Sequence, residues 1–227
     1  MFLCATFFIL HSTFFISPAG AQDDPEYRME VGAGLGLVSY EGDFNSSLTK
    51  GMQPMLALVA KYRYNPRMAL GASIGYGKIK GSSTDVGTWY PGMPTPYSFS
   101  NQLIDFTLRY EYNFWAYGTG REYYGARHVS PFIALGLGMT YTEATRGVFA
   151  ANLPLGLGVK MKLGDRLNLT AEWTMRFTGT DELDGRKDPY GIKSSGLFKN
   201  TDCYSVLQLA LTYDIWTKCK TCNSDRD

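Results

Sequence analysis

The chain has 227 residues, of which 44% are hydrophobic and 19% are charged, and its formal net charge is +1. This length suits a single domain, and the balanced charge gives no indication of nucleic-acid binding, which requires a basic face. The 25 glycines and 16 tyrosines, together with the scarcity of amphipathic helical patterns, favour a fold rich in β-strands and turns.

The first 21 residues differ from the rest of the chain. Residues 2–16 are nearly all apolar and lead into the small-residue run 17–21. A short apolar run that ends in small residues at the A-x-A spacing predicts a secretory signal peptide over residues 1–21, cleaved after Ala21. The absence of Lys and Arg before the apolar run is atypical of such a signal. Beyond residue 21 no run of about 18 apolar residues follows, so the sequence predicts no membrane-spanning helix.

Period-two alternation predicts eight strands within residues 22–216. In 167–177, apolar side chains such as Leu169 and Trp173 alternate with polar ones such as Glu172. Successive side chains of a strand point to opposite faces, so this segment has one apolar and one polar face. The predicted strands cover 29–38, 53–63, 67–78, 104–114, 130–142, 151–163, 167–177 and 203–216.

The length of these segments decides between two kinds of exported β protein. Strands of about 5–6 residues are usual in a soluble sandwich, whereas a tilted strand of about 9–11 residues crosses a bilayer. The predicted strands are of the longer kind, and their polar faces carry charges of both signs. We therefore predict an all-β, eight-stranded antiparallel transmembrane β-barrel whose apolar side chains face lipid.

The connections alternate between short and long, as in bacterial outer-membrane barrels with short periplasmic turns and long external loops. Asn65-Pro66 and Gly164-Asp165 are tight-turn dipeptides, whereas 79–101 and 179–202 are long. This phase predicts a bacterial outer-membrane protein with both termini in the periplasm. The exception is 115–129, which is long for a periplasmic turn.

Aromatic side chains cluster near both predicted ends of the barrel. Amphipathic rings favour the membrane interface, so these clusters support the predicted span. The periplasmic set is Tyr62, Tyr64, Tyr110, Tyr112, Phe114, Tyr213 and Trp216, and the outer set is Tyr141 and Phe177.

Strand phase places many charged side chains inside the predicted barrel. The interior of eight strands is just wide enough for side chains to fill, and buried charges are rarely tolerated unpaired. We therefore predict a salt-bridged plug in preference to a solute channel, with room made by inward glycines of strands one, three, five and six. The predicted inward charges are Glu30, Lys61, Arg63, Asp105, Arg109, Glu111, Lys160, Lys162, Glu172, Arg176 and Asp214.

Signals for catalysis or ligand binding are weak. His128 is the only histidine beyond residue 21. It lies near the start of strand five, where we predict an interfacial or exposed residue in preference to a catalytic base. The glycines of 32–36 open no helix, so a dinucleotide site is rejected. We expect no enzyme activity, no cofactor, no metal and no small-molecule substrate. One loop carries four acidic residues, namely Asp181, Glu182, Asp184 and Asp188. Because their spacing is not that of an EF-hand, we predict that the loop is solvated and does not bind calcium.

Three cysteines lie beyond residue 21, namely Cys203, Cys219 and Cys222. Extended chain of about 3.3 Å per residue separates Cys203 from Cys219, so these two cannot bridge within one barrel. Cys219 and Cys222 lie in a polar tail, residues 217–227, that is predicted to be periplasmic. A local disulfide, an idle tail and a cross-link to a partner through an unpaired cysteine remain open alternatives. Zinc binding lacks two further ligands, and a thioredoxin-type site lacks a βαβ setting.

Both ends of the predicted barrel carry short motifs that are similar to those of a known family. The motifs are Glu30-Val31-Gly32, Gly34-Leu35-Gly36 and Tyr40-Glu41-Gly42-Asp43 at the start, and Tyr213-Asp214-Ile215-Trp216 with Lys218-Cys219-Lys220-Thr221-Cys222-Asn223 at the end. These runs resemble the PorG family of the type IX secretion system in Bacteroidetes. As a barrel pattern, the resemblance extends over most of the chain beyond residue 21.

The resemblance implies an outer-membrane component of a secretion machine that supports cargo export without being the export pore. It implies association with a periplasmic ring formed by the lipoprotein PorK and its partner PorN, through the C-terminal tail. Two alternatives are an adhesin or protective surface barrel that acts through loops 79–101 and 179–202, and a lipid-modifying enzyme that uses His128. The partner-binding residues that the resemblance implies are Trp216, Lys218, Cys219, Lys220 and Cys222.

Overall fold

The computed structural model describes residues 27–42, 44–45, 50–83, 97–118, 126–144, 147–185 and 201–217. The predicted signal peptide and the cysteine tail beyond residue 217 lie outside the described residues, as do the central parts of the two long predicted loops. Within the described ranges, no helix is long and apolar enough to cross a bilayer.

Eight antiparallel strands form one closed barrel in sequence order, which confirms the predicted fold class. Pairing of the first and last strands closes the sheet, from Tyr27 opposite Thr217 to Glu41 opposite Cys203. A closed ladder leaves no strand edge, so backbone N–H and C=O groups find partners without water. The strands are β1 (Tyr27–Glu41), β2 (Gln53–Asn65), β3 (Met68–Ser82), β4 (Ser98–Asn113), β5 (Val129–Thr142), β6 (Val148–Lys162), β7 (Leu167–Thr178) and β8 (Cys203–Thr217).

The two ends of the barrel differ in their connections. We call the end where β1 begins and β8 ends the proximal end, and the opposite end the distal end. Proximal connections are the tight turns 66–67 and 163–166 and the longer 114–128. Three of the distal connections are long, namely 42–52, 83–97 and 179–202. The fourth is short, because only residues 143–147 join β5 to β6. The alternation of short and long connections therefore fails at two places, at 114–128, as the sequence indicates, and at 143–147, which was predicted to be longer.

Apolar side chains at alternate positions cover the outer wall. Leu137 and Phe149 are 71% and 73% exposed, and Leu58 is similarly open. Each Å² of apolar surface left in water costs about 25 cal/mol, whereas lipid acyl chains cover such a wall without cost. The exterior is therefore that of a transmembrane barrel.

At the distal end the alternation reverses, so that apolar side chains point inward and polar side chains point outward. Beyond Tyr76 the outward residues of β3 are Lys78 and Lys80, while the inward Ile79 is fully buried. The first residues of β4 follow the same inverted pattern, so β4 begins at Ser98 and not at residue 104 as predicted. The prediction was short because it sought apolar outward faces. Beyond the lipid the outside is wet, so apolar side chains turn into the barrel instead.

Aromatic rings lie on the outer wall near both ends. At the proximal end Trp216 is 69% exposed, and the other predicted belt residues lie on the same wall. At the distal end Tyr141 packs against Phe149 with ring centroids 4.6 Å apart. Tyr76 also belongs to the distal set, although the sequence patterns did not single it out.

A lipid-facing arginine is expected to destabilise the barrel according to its depth. Leu137→Arg places a guanidinium near the middle of the apolar band and is expected to lower the free energy of unfolding by about 2–4 kcal/mol. Tyr64→Arg, at the proximal rim, is the matched control, with an expected loss of about 0–1 kcal/mol. Denaturant unfolding in lipid vesicles, followed by tryptophan fluorescence, measures both. Equal losses at the two positions would contradict the assigned band.

Candidate functional site

The interior of the barrel is filled by charged side chains. The structure places all eleven predicted inward charges inside, six cations and five carboxylates, each no more than 7% exposed. Ions removed from water in this way need close partners of opposite charge. The partners form three layers along the barrel axis, described here from the proximal to the distal end.

The proximal layer centres on Arg63. Its Nη2 lies 2.5 Å from Glu30 Oε1 and 2.6 Å from Asp214 Oδ1. Lys162 Nζ lies 2.6 Å from Asp214 Oδ2, and the Asn168 amide donates to Asp214 Oδ1 at 2.7 Å. Because these residues come from five strands, the layer ties the wall together across its interior.

The middle layer centres on Glu111. Its carboxylate lies 2.5 Å from Lys160 Nζ, 3.1 Å from Lys61 Nζ and 3.2 Å from Arg109 Nε. Arg109 also pairs with Glu172. Three cations here face two carboxylates, so the Glu111 charge is the one on which this layer depends.

The distal layer centres on Asp105, which pairs with Arg176. Its carboxylate also accepts hydrogen bonds from the Tyr204 hydroxyl at 2.7 Å, the Asn152 amide at 3.0 Å and the Thr107 hydroxyl at 2.8 Å. The neutral donors satisfy carboxylate lone pairs that a single arginine leaves open. Tyr204 and Asn152 have inward strand phase, yet sequence reasoning did not select them because it selected charge alone.

Inward glycines make room for this filling, as the sequence predicts. A Cβ at Gly158 would lie 2.7 Å from Phe132 Cζ, which is closer than van der Waals contact permits. A Cβ at Gly71 would lie 3.4 Å from Arg109 Cγ. The long side chains of one strand thus occupy space that the neighbouring strand leaves empty.

Tyr117 covers the proximal end of the interior. It comes from the connection between β4 and β5 and is almost fully buried. Its ring centroid lies 5.6 Å from the Arg63 guanidinium carbon and 5.8 Å from Lys162 Nζ. Burial and the nearby Glu30 carboxylate hold the pKa of Tyr117 well above its ordinary value, so its hydroxyl stays protonated and donates to Asn168 at 2.7 Å. Only the unusual length of this connection signalled a role in the sequence.

The distal mouth is covered by residues 179–185, here called the mouth segment. Leu183 is fully buried, and its backbone N–H donates to Asp202 Oδ2 at 2.9 Å. The Tyr40 hydroxyl contacts Asp202 Oδ1 at 2.5 Å and Asp184 Oδ2 at 3.1 Å. The predicted solvated acidic loop is therefore wrong for Asp184, which is buried, because the mouth segment folds inward; Asp188 lies outside the described residues.

The paired carboxyl groups at the mouth share one hydroxyl. A hydroxyl has a single proton, so both contacts to Tyr40 are hydrogen bonds only when one carboxyl group is protonated. Burial and the neighbouring Asp184 raise the pKa of Asp202 well above its ordinary value. Protonated Asp202 therefore fits the observed geometry.

The remaining sequence-predicted residues lie apart from this interior. Trp216 is on the outer surface at the proximal end, while Lys218, Cys219, Lys220 and Cys222 lie outside the described residues. Cys203 is a free thiol at the distal end of β8, where its Sγ contacts the Glu41 carbonyl oxygen at 3.4 Å. His128 is exposed immediately before β5 at the proximal end. The structure thus gathers the lumen set inside the barrel, and of the partner-binding set it describes only Trp216, which lies outside.

Comparison with protein families identifies one match. The model of a family described as "Domain of unknown function (DUF6089)" matches residues 13–224. The chain belongs to the DUF6089 family. No curated protein sequence matches it at a significant level.

Solved structures similar to this DUF6089 barrel include three outer-membrane proteins. Neisserial surface protein A is 15% identical with a TM-score of 0.48, covering 82% of this chain and 97% of its own. The attachment invasion locus protein Ail of Yersinia pestis is 10% identical, with a TM-score of 0.44 and coverages of 85% and 99%. The outer membrane enzyme PagL is 16% identical, with a TM-score of 0.41 and coverages of 82% and 99%. The fold assignment rests on the strand pairing and exterior of the chain itself.

Removal of the Glu111 charge is expected to destabilise the DUF6089 barrel strongly. Glu111→Gln removes the described ion-pair partner of Lys61 and Lys160 and leaves Arg109 paired with Glu172, and breaking a buried ion pair in this way costs about 3–5 kcal/mol. Urea unfolding in lipid vesicles measures the loss. Glu143→Gln, which removes an exposed carboxylate at the distal end, is the control and is expected to change stability by under about 0.5 kcal/mol. Similar losses of stability for the two variants would contradict a stabilising role of the Glu111 charge.

The mouth segment is expected to loosen as pH rises. The folded state binds the Asp202 proton more tightly than the unfolded chain, so stability falls as pH increases from 3.8 through the raised pKa. Hydrogen exchange at the Leu183 amide, corrected for the intrinsic rate, is expected to accelerate over that range. Asp202→Asn should abolish the dependence, because its amide cannot ionise, whereas Asp165→Asn in a proximal turn should preserve it. A pH profile that persists in Asp202→Asn would exclude this assignment.

Proposed function

We propose that this DUF6089 barrel is a non-enzymatic outer-membrane component of a type IX protein secretion system. In this proposal it anchors a periplasmic ring, formed by the lipoprotein PorK and its partner PorN, to the outer membrane and supports the export of cargo proteins. The proximal end faces the periplasm. The motifs at both ends of the barrel, which resemble the PorG family, supply the proposed system and partners.

The filled interior is the observation that carries an anchoring role. Three layers of ion pairs occupy the lumen, Tyr117 covers its proximal end and the mouth segment covers its distal end. Passage of a solute or an unfolded protein would require these charges to separate inside a narrow, water-poor space. A barrel built in this way is better suited to anchoring a partner at the membrane than to serving as a channel.

The proximal surface offers exposed features for a partner. Trp216 lies at the end of β8, and its φ of 66° is in the left-handed region. This conformation costs a bulky residue about 1–3 kcal/mol, and it interrupts the alternation of β8, whose next residue Thr217 still pairs with Tyr27. On the same end, Arg127 stacks on the exposed Trp115 ring at 4.7 Å. Aromatic and arginine side chains are the types that dominate binding energy at protein interfaces.

The proposed partner contact combines Trp216 with Lys218, Cys219, Lys220 and Cys222 of the tail. The connection between β4 and β5 is the second part of the proposed periplasmic surface, since β4 ends and β5 begins at the same end of the barrel, across from β8 in the strand order. A cysteine of the tail that lacks an internal partner would cross-link to the ring in the oxidising periplasm. A disulfide between Cys219 and Cys222 would instead leave the contact non-covalent.

Affinity purification from native membranes tests the proposed anchoring. Full-length tagged barrel is expected to recover the ring lipoprotein, and Cys219→Ser with Cys222→Ser is expected to reduce recovery at least about tenfold if the link is covalent. Non-reducing electrophoresis distinguishes the two forms of contact, because only a cross-link gives a partner-sized shift. Cys203→Ser is the matched control, since this thiol lies at the distal end of β8.

Failure to recover any periplasmic ring protein, with all cysteines intact, would overturn the proposal. The adhesin alternative predicts a different result in a second experiment. Shortening the loop within 79–101 would then abolish surface binding while secretion stays intact. Loss of secretion after truncation at residue 217, with the barrel still inserted, would instead support the anchoring role.

A further inference from the structure

The β3–β4 hairpin presents a basic surface on the outer wall of the barrel. Lys78 lies opposite Gln102 and Lys80 lies opposite Ser100 in the strand register. All four side chains are exposed and point outward, because the inward Ile79 between the two lysines is buried and the inward Asn101 between Ser100 and Gln102 is half-buried. Residues directly opposite in an antiparallel pair have Cβ atoms about 4.5–5.5 Å apart. We call these four residues the lysine patch.

The patch begins where the apolar band ends. Tyr76 opposite Ile104 is the last pair with apolar bulk on the outer wall, and Tyr rings favour the membrane interface. Two residues further along a strand, at about 3.4 Å each and with a tilt of about 35–45°, correspond to about 5 Å of height. The headgroup layer is about 5–8 Å thick on each side of a bilayer. Lys78 therefore lies at headgroup level, and Lys80, about 10 Å above Tyr76, lies just beyond it.

The patch consists of hydrogen-bond donors. The Tyr76 hydroxyl donates to Gln102 Oε1 at 2.7 Å, which turns the Gln102 amide nitrogen away to donate elsewhere. Two ammonium groups and the Ser100 hydroxyl complete the set. Such a group of donors matches the oxygens of a phosphate.

Among the residues that the structure describes, none neutralises the charge of the patch. Lys78 and Lys80 form no ion pair with any residue that the structure describes. A described outward carboxylate, Glu143, lies beside the patch, where its backbone N–H donates to the Gln102 carbonyl at 3.0 Å. It therefore borders Gln102 on the side away from Lys78, about two strand spacings or 10 Å from it. Lys50 borders the lysine side of the patch, because a Cβ at its neighbour Gly51 would lie 3.3 Å from the Lys80 carbonyl oxygen.

We propose that the lysine patch is a binding site for the phosphate of an anionic membrane lipid in the leaflet at the distal end. The headgroup phosphate lies between Lys78 and Lys80 and accepts from Gln102, while the acyl chains lie along Ile104 and the apolar residues below it. A cation near a membrane surface contributes about 1 kcal/mol to the attraction of an anionic lipid, which is about fivefold in affinity. The site is independent of the proposed secretion role, which concerns the opposite end.

Lipid titration by native mass spectrometry tests the site. The full-length barrel in zwitterionic detergent is titrated with phosphatidylglycerol, and separately with phosphatidylcholine of the same acyl chains. We expect preferential retention of phosphatidylglycerol, a loss of about fivefold for Lys78→Gln and about 25-fold for Lys78→Gln/Lys80→Gln. Lys78→Arg/Lys80→Arg should retain the lipid, since the charge remains.

Arg67→Gln is the matched control, because it removes one exposed cation from a proximal turn, and it should change retention by less than about twofold. Glycerol phosphate, added as a soluble competitor, distinguishes a lipid from a free phosphate. Equal losses for Arg67→Gln and Lys78→Gln, no preference between the two lipids, or displacement by millimolar glycerol phosphate would each overturn the proposal. Mobility of unheated protein on gels confirms that every variant is folded.

Discussion

Closure of the sheet between β1 and β8 is the constraint on which the rest of this structure depends. A membrane offers no water to an open strand edge, so the chain satisfies its backbone only by joining its first strand to its last. Closing with eight strands makes an interior too narrow to hold bulk water and too wide to leave empty. The wall therefore determines what the interior must contain, namely side chains that fill the space and satisfy one another.

In this barrel the interior is filled mainly by ion pairs. Arg63, Glu111 and Asp105 each join several strands through the interior, and the neutral donors around them complete the hydrogen bonding. A hydrophobic filling would suit packing equally well, but it would place apolar residues on both faces of every strand. The alternation of apolar outside and charged inside keeps each strand's orientation unambiguous, because a slip of one residue would expose charge to lipid.

The wall and its inward charges could be predicted from the sequence because both depend on a local rule, the period of two along a strand. Leu137 and Glu111 follow that rule wherever the outside is lipid. It failed at Ile79 and Phe99, since an outward-apolar pattern cannot recognise a strand that has passed into water. Tyr117 and Asp184 were missed for another reason. Each enters the interior from a connection, and its position depends on contacts across the barrel that no local period records.

The inversion of polarity along β3 has a mechanical consequence. Moving the barrel outward along the membrane normal would lift Tyr76 and Ile104 into water, and moving it inward would draw Lys78 and Lys80 into hydrocarbon. Both displacements are opposed, so the outer surface fixes the depth at which the barrel sits in the membrane. Under the proposed secretion role, a ring attached to the proximal rim is then kept at a set distance from the bilayer surface.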